Sequence, residues 1–218
     1  MGKLIIVAAL ASLLFLLWRQ WSRRRRSHFI EAYRYERQLD PRLAAKRPEL
    51  NAEQRAEVLL GLRDYFQLCR MARREMVAMP SQVVDDAWHE FILFTRHYDR
   101  FCRQAFGRFL HHTPAEAMTG PTQASDGIKR AWRLACRLER IDPESPDRLP
   151  RLFALDAALG ITGGFIYQLD CLAARQGAAD GGYCASHIGC TGGGGGCGGG
   201  GCSGDSGSDG GGGGCGGD

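Results

Sequence analysis

The chain has no G-x-S-x-G turn, no Walker loop and no G-x-G-x-x-G run followed by a helix. The nucleophile elbow of an α/β-hydrolase and the phosphate cradles of nucleotide-binding folds are therefore missing. It has no stretch of alternating β-branched residues, so it carries no strand signal. Nor does it carry a basic excess beyond its first residues. Lys3, Arg19 and Arg23 to Arg26 stand without an acid in residues 1–27, a charge of +6 against +4 for the whole chain, which leaves 22 basic and 24 acidic residues after them. A nucleic-acid-binding domain carries its excess on the fold itself, so nucleic acid is not an expected partner and the pI of 8.6 is a local effect. Residues 181–218 contain no Lys or Arg and a single aromatic, Tyr183.

What is present begins with an apolar run from Leu4 to Trp18 that meets RQWSRRRR. Fifteen residues at about 1.5 Å each fall short of a hydrocarbon core of roughly 30 Å, but Trp18 and Trp21 suit the interface and Arg19 can snorkel. A cleaved signal peptide places its charge before the apolar run and small residues after it, the reverse of this order. The expectation is a single-pass anchor in the inner membrane, with lipid as a partner and RRRR as a stop-transfer flank against anionic headgroups. The positive-inside rule then puts the bulk of the chain in the cytoplasm. The opposite topology would expose the later cysteines to an oxidising compartment.

Helical periodicity starts at Asn51, an N-cap with Gln54 three residues on in capping-box spacing. Val58, Leu59, Leu62, Phe66, Cys69 and Met76 then form one stripe. Pro80 and Ser81 punctuate, and a second helix is expected from Gln82 to Phe106, stopped by Gly107, with Val84, Trp88, Phe91, Tyr98, Phe101 and Ala105 facing inward. Gly120 and Pro121 precede a third over Ile128, Ala131, Trp132, Ala135 and Leu138, and a short apolar helix follows near Leu149 to Leu159. Cys69, Cys102, Cys136 and Cys171 fall within helical patterns, where a thiol acts as a small apolar side chain.

The reading is an all-α fold: an anchor and basic flank over residues 1–27, a small orthogonal or bundled helical domain over 28–175, and a Gly/Cys-rich tail over 176–218. Residues 181–218 hold 21 glycines and five cysteines. Such a composition buries too little apolar surface to offset the entropy of ordering, so the tail is expected to be disordered.

Two residue sets carry metal-binding chemistry. In VVDDAWHEFILF, Asp85 and His89 stand one helical turn apart, on the same side as Arg96 and roughly opposite the apolar stripe. An Asp and a His at that spacing can ligate a divalent metal such as zinc, act as an oriented acid/base pair, or simply pair across helices. His111 or His112, just beyond the helix, can supply a third ligand. His97 falls on another face and reads as solvated. In the tail, Cys184, His187 and Cys190 offer thiolates and an imidazole to a soft metal, although paired C-x-x-C knuckles are absent.

The run PSQVVDDAWHEFILFTRHYDRFCRQAFGRFLHHTP, with DRLPRLFALDAALGI after it, resembles the glycine-rich domain-containing protein-like family. The likeness covers about residues 50–165, and short bacterial forms of the family also resemble this chain in ending with YCASHIGC and a Gly/Cys tail. The D-x-x-W-H and F-G-R-F-L-x-H elements place Asp85, Trp88, His89 and His112 in it. The resemblance implies no enzymatic activity, and it favours His112 over His111. Plant relatives are associated with RNA binding and stress, but through long regions missing here. The function expected is a membrane-anchored interaction or assembly module with a protein partner. The alternative is a metal-binding protein or metal-dependent enzyme using Asp85, His89 and His112.

Overall fold

The computed structural model describes residues 2–112, 121–169 and 183–184. Among these residues the chain is helical apart from two very short strands: α1 (Gly2–Ala32), α2 (Glu36–Lys46), α3 (Ala52–Ala72), α4 (Gln82–Leu93), α5 (Thr95–Ala105), α6 (Pro121–Glu139), α7 (Arg151–Ala158), β1 (Tyr167–Gln168) and β2 (Tyr183–Cys184).

The first helix is long and apolar enough to cross a membrane. Leu4, Leu14 and Trp18 stand 76, 66 and 61% exposed, and the helix meets the rest of the molecule only near its end, where Ile30 is fully buried. No glycine or proline interrupts RRRRSHFIEA, so the helix runs unbroken through the boundary expected after residue 27. Its last turns pack on α3 and α5.

The capping box at α3 is as expected. Asn51 Oδ1 accepts from the Gln54 amide and Gln54 Oε1 from the Asn51 amide, both at 2.9 Å. The stripe it introduces is buried from Val58 to Cys69, around an aromatic core of Tyr35, Phe66, Phe91 and Phe101. Gly61 marks a close helix approach. A Cβ there would sit 2.9 Å from Val84 Cγ2 and 3.2 Å from Leu155 Cδ2, so the missing side chain lets α4 and α7 close onto α3.

Three further features differ from the sequence expectation. Helix α2 was not anticipated; its inward positions, Leu39 and Leu43, are separated by charged residues, and Pro41 lies within it. The helix expected from Gln82 to Phe106 is two, broken at Phe94. Ten residues of continuous helix would hold Trp88 and Tyr98 about 15 Å apart along the axis, yet the Trp88 indole donates to the Tyr98 hydroxyl at 3.0 Å. The third difference is β1–β2, a parallel pairing that places Tyr183 beside Tyr167. Cys184 therefore belongs to backbone pairing within the segment read as tail. His187, Cys190 and Cys171 lie outside the described residues.

Asp156, on α7, ties the start of α4 to the segment after α7. It is 2% exposed. Its Oδ1 accepts from the Ser81 hydroxyl at 2.7 Å and the Val83 amide at 3.2 Å, and its Oδ2 from the amides of Gln82 at 2.7 Å and Phe165 at 2.9 Å. A carboxylate from another helix thus takes up the free amides at the start of α4, where the helix dipole favours negative charge.

Cys69, Cys102 and Cys136 are buried free thiols. Burial raises all three, Cys69 from 9.0 to about 12 and Cys136 to about 11. Burial likewise raises the hydroxyls of Tyr35, Tyr65 and Tyr98. The unfolded chain then loses these protons at lower pH than the folded one. Their stabilising contribution is complete below the unfolded value and is lost as pH rises from about 9 towards about 12. Denaturant midpoints should fall steeply across that window, by up to about 1.4 kcal/mol per pH unit for each group. Thiol labelling at neutral pH should leave these three cysteines unmodified until the chain unfolds.

Candidate functional site

The acidic pair in VVDDAWHEF is divided by the helix. Asp86 turns inward, where Arg47 Nη2 stands 2.6 Å from its Oδ2 and Lys46 Nζ 3.2 Å from its Oδ1, so it ties α2 to α4. Glu90 continues that tie through Arg42 and Lys46. His97 is exposed on α5.

Asp85 faces the other way, in the first turn of α4. His89 follows one turn later, with Nδ1 3.6 Å from Asp85 Oδ2. His112 comes from the segment after α5, and its Nε2 lies 2.9 Å from Asp85 Oδ1. The two imidazole rings are 4.4 Å apart. One ligand atom from each of the three residues can be chosen so that all lie within 4.8 Å of one another.

The return of His112 to α4 has a local cause. Gly107 adopts φ +74° and turns the chain after α5. The break at Phe94 swings Tyr98 over Trp88, and its hydroxyl accepts from the indole and donates to the Leu110 carbonyl at 2.7 Å. Leu110 is buried. Two residues on, the His112 ring packs edge-on against Trp88, 4.5 Å between centroids. His111 instead lies against Phe109 and is exposed. Arg96, expected beside Asp85 and His89, is carried off their helix by the break and sits exposed on α5.

Side-chain exposure is 12% for His112, 20% for Asp85 and 42% for His89, so the cluster is supported on the Trp88 side and open to water past His89. Two imidazoles and one carboxylate converging at a half-open edge form a set of three protein donors that leaves positions free for water or an outside ligand.

A family model described as UCP032817-like matches residues 25–188. The chain belongs to this family. The UCP032817-like region starts after the apolar part of α1 and contains α2 to α7, both strands, and Asp85, His89 and His112. It reaches Cys184 and His187 and ends before Cys190. No curated protein and no solved structure matches the chain.

Within the UCP032817-like domain, sequence reasoning assigned Trp88 and Tyr98 to the apolar stripe and missed their polar ends. The available signal was chemical: a buried indole N–H or phenol needs a partner. Tyr98→Phe should leave the Trp88 N–H and the Leu110 carbonyl without their shared partner. The expected cost is about 2 kcal/mol, read as a lower denaturant midpoint. In the NMR spectrum of the same variant, the His112 ring signals should move, because that ring packs on Trp88 with centroids 4.5 Å apart.

Proposed function

We propose that this protein is a membrane-anchored helical module that binds a divalent metal through Asp85, His89 and His112. The observation that carries the reading is the convergence of these side chains from two separate segments, with donor atoms within 4.8 Å. Donors around a tetrahedral ion with bonds of about 2.1 Å stand about 3.4 Å apart, so small side-chain rotations bring the set to ligand geometry. The donors suit zinc, ferrous iron or a similar borderline ion. An assembly role is compatible with this reading, the metal edge then serving as a contact point for a protein partner.

The first helix is the anchor in this proposal, with the domain on the cytoplasmic side of the inner membrane. The arginines that follow the apolar run support that orientation. Cys184, His187 and Cys190 are the second candidate ligand set.

The test is elemental analysis of the full chain, extracted in detergent under reducing conditions. Stoichiometric metal should survive the Cys184→Ser, His187→Ala, Cys190→Ser variant. Metal lost with those three changes would move the site to the tail, and a metal-free chain would leave the assembly role alone.

A further inference from the structure

Where α1 meets the domain, arginines from separate elements converge. Arg19 and Arg23 lie one turn apart on α1. Four residues beyond Arg23, the Ser27 carbonyl accepts from the Gln67 side chain at 3.0 Å, and Gln67 in turn accepts from Arg70 at 2.7 Å. This docks the end of α3 beside the basic run. Arg26 donates to the Phe106 carbonyl at 2.8 Å, and Arg108, two residues past it, donates to the Arg73 carbonyl at 2.6 Å. Arg73 caps α3 with φ +62° and is exposed, as are Arg19 and Arg23. Among the described residues, none of these arginines is in an ion pair. Glu31 is the acid facing the cluster, and it is engaged by Gln67 at 3.1 Å.

The position along α1 says what this charge faces. Trp18 and Trp21 are exposed, and the Arg25 guanidinium lies 5.4 Å from the Trp21 ring. From Trp18 to Arg23 the helix rises about 7.5 Å, close to the thickness of one headgroup layer, about 5–7 Å. Arg73 belongs to the folded domain, not to the stop-transfer run, and the Gln67–Ser27 and Arg108–Arg73 bonds hold the end of α3 on the side of that run.

We propose that Arg19, Arg23 and Arg73 form a cradle for the phosphates of anionic phospholipids, which holds the underside of the helical domain against the bilayer. The proposal rests on α1 spanning a membrane. Charge complementarity selects the occupant: unpaired guanidinium groups from two elements meet where anionic headgroups begin, and guanidinium binds phosphate oxygens in a bidentate fork.

The experiment places the full chain in nanodiscs of phosphatidylcholine and phosphatidylglycerol in equal parts and counts retained lipids by native mass spectrometry. Phosphatidylglycerol should be retained selectively. Arg23→Gln and Arg73→Gln, both at exposed side chains, should each lower that retention roughly fivefold, while Arg24→Gln should change it less. Unselective retention would overturn the proposal, as would Arg73→Gln behaving like the parent chain. Retention of inorganic phosphate in discs of phosphatidylcholine alone, at the level of phosphatidylglycerol, would also overturn it in favour of a soluble anion. A chain that does not enter discs at all would instead refute the anchor, a separate result.

Discussion

Asp156→Ala is expected to lower the stability of the folded chain by about 4 kcal/mol, the largest effect of any single change considered. The carboxylate is buried and accepts four hydrogen bonds, three of them from Ser81, Gln82 and Val83 at the start of α4. Truncation leaves several donors without a partner in a place water does not reach, and each such loss costs about 1–3 kcal/mol. Asp156→Asn keeps the shape but turns an amide N–H toward donors, so about half the loss should remain. The readout is the denaturant midpoint, with an unchanged slope. A midpoint within experimental error of the parent in Asp156→Ala would mean that Ser81 alone caps α4. Since Asp85 lies one turn beyond this cap, the variant should also loosen the edge formed by Asp85, His89 and His112.

Asp85→Ala and His112→Ala are each expected to abolish stoichiometric metal, whereas His111→Ala keeps it. Losing a second-shell partner costs roughly 10–100-fold in metal affinity, and removing one ligand of three should cost at least that. The neighbouring histidines make the contrast sharp. They differ by one position, but His112 Nε2 is 2.9 Å from Asp85 while His111 packs on Phe109 in solvent. Both ligand variants remove polar atoms from a half-open surface, so helicity should persist, and circular dichroism separates metal loss from unfolding. Metal retained in Asp85→Ala would remove the carboxylate from the ligand set. Metal lost equally from His111→Ala and His112→Ala would point to a site formed by both rings.

The parts of this fold legible in the sequence are those governed by local chemistry. Asn51 and Gln54 satisfy each other across three residues, and the stripe from Val58 to Cys69 needs only helical periodicity. The all-α architecture and the first helix followed from the same kind of signal. Helix α2 escaped because its inward leucines are diluted by charge and its proline imitates a boundary. The break at Phe94 escaped because no glycine or proline marks it. What bends the chain there is the meeting of Trp88 with Tyr98, a tertiary contact that overrides local helical preference. Asp85 and His89 were visible as a pair one turn apart. Spacing left His111 and His112 open, the family resemblance favoured His112, and the physical reason for that choice is where Leu110 is pinned. The role of Asp156 was hinted at only by an acid within the apolar LFALDAALG.

The unbroken course of α1 also governs how the Asp85 edge meets other molecules. A flexible tether would let the domain sample every direction, and each productive encounter would have to restrict that freedom again. Here a helix of 31 residues enters the core at Ile30 with no hinge glycine or proline after Gly2. With α1 inserted as proposed, the domain would keep its height above the bilayer and its tilt, and would retain mainly translation in the plane and spin about the normal. Encounters would then be two-dimensional: a partner sharing the membrane and presenting its surface at the same height would meet the Asp85 edge already oriented, and one arriving from bulk solution would have no such advantage.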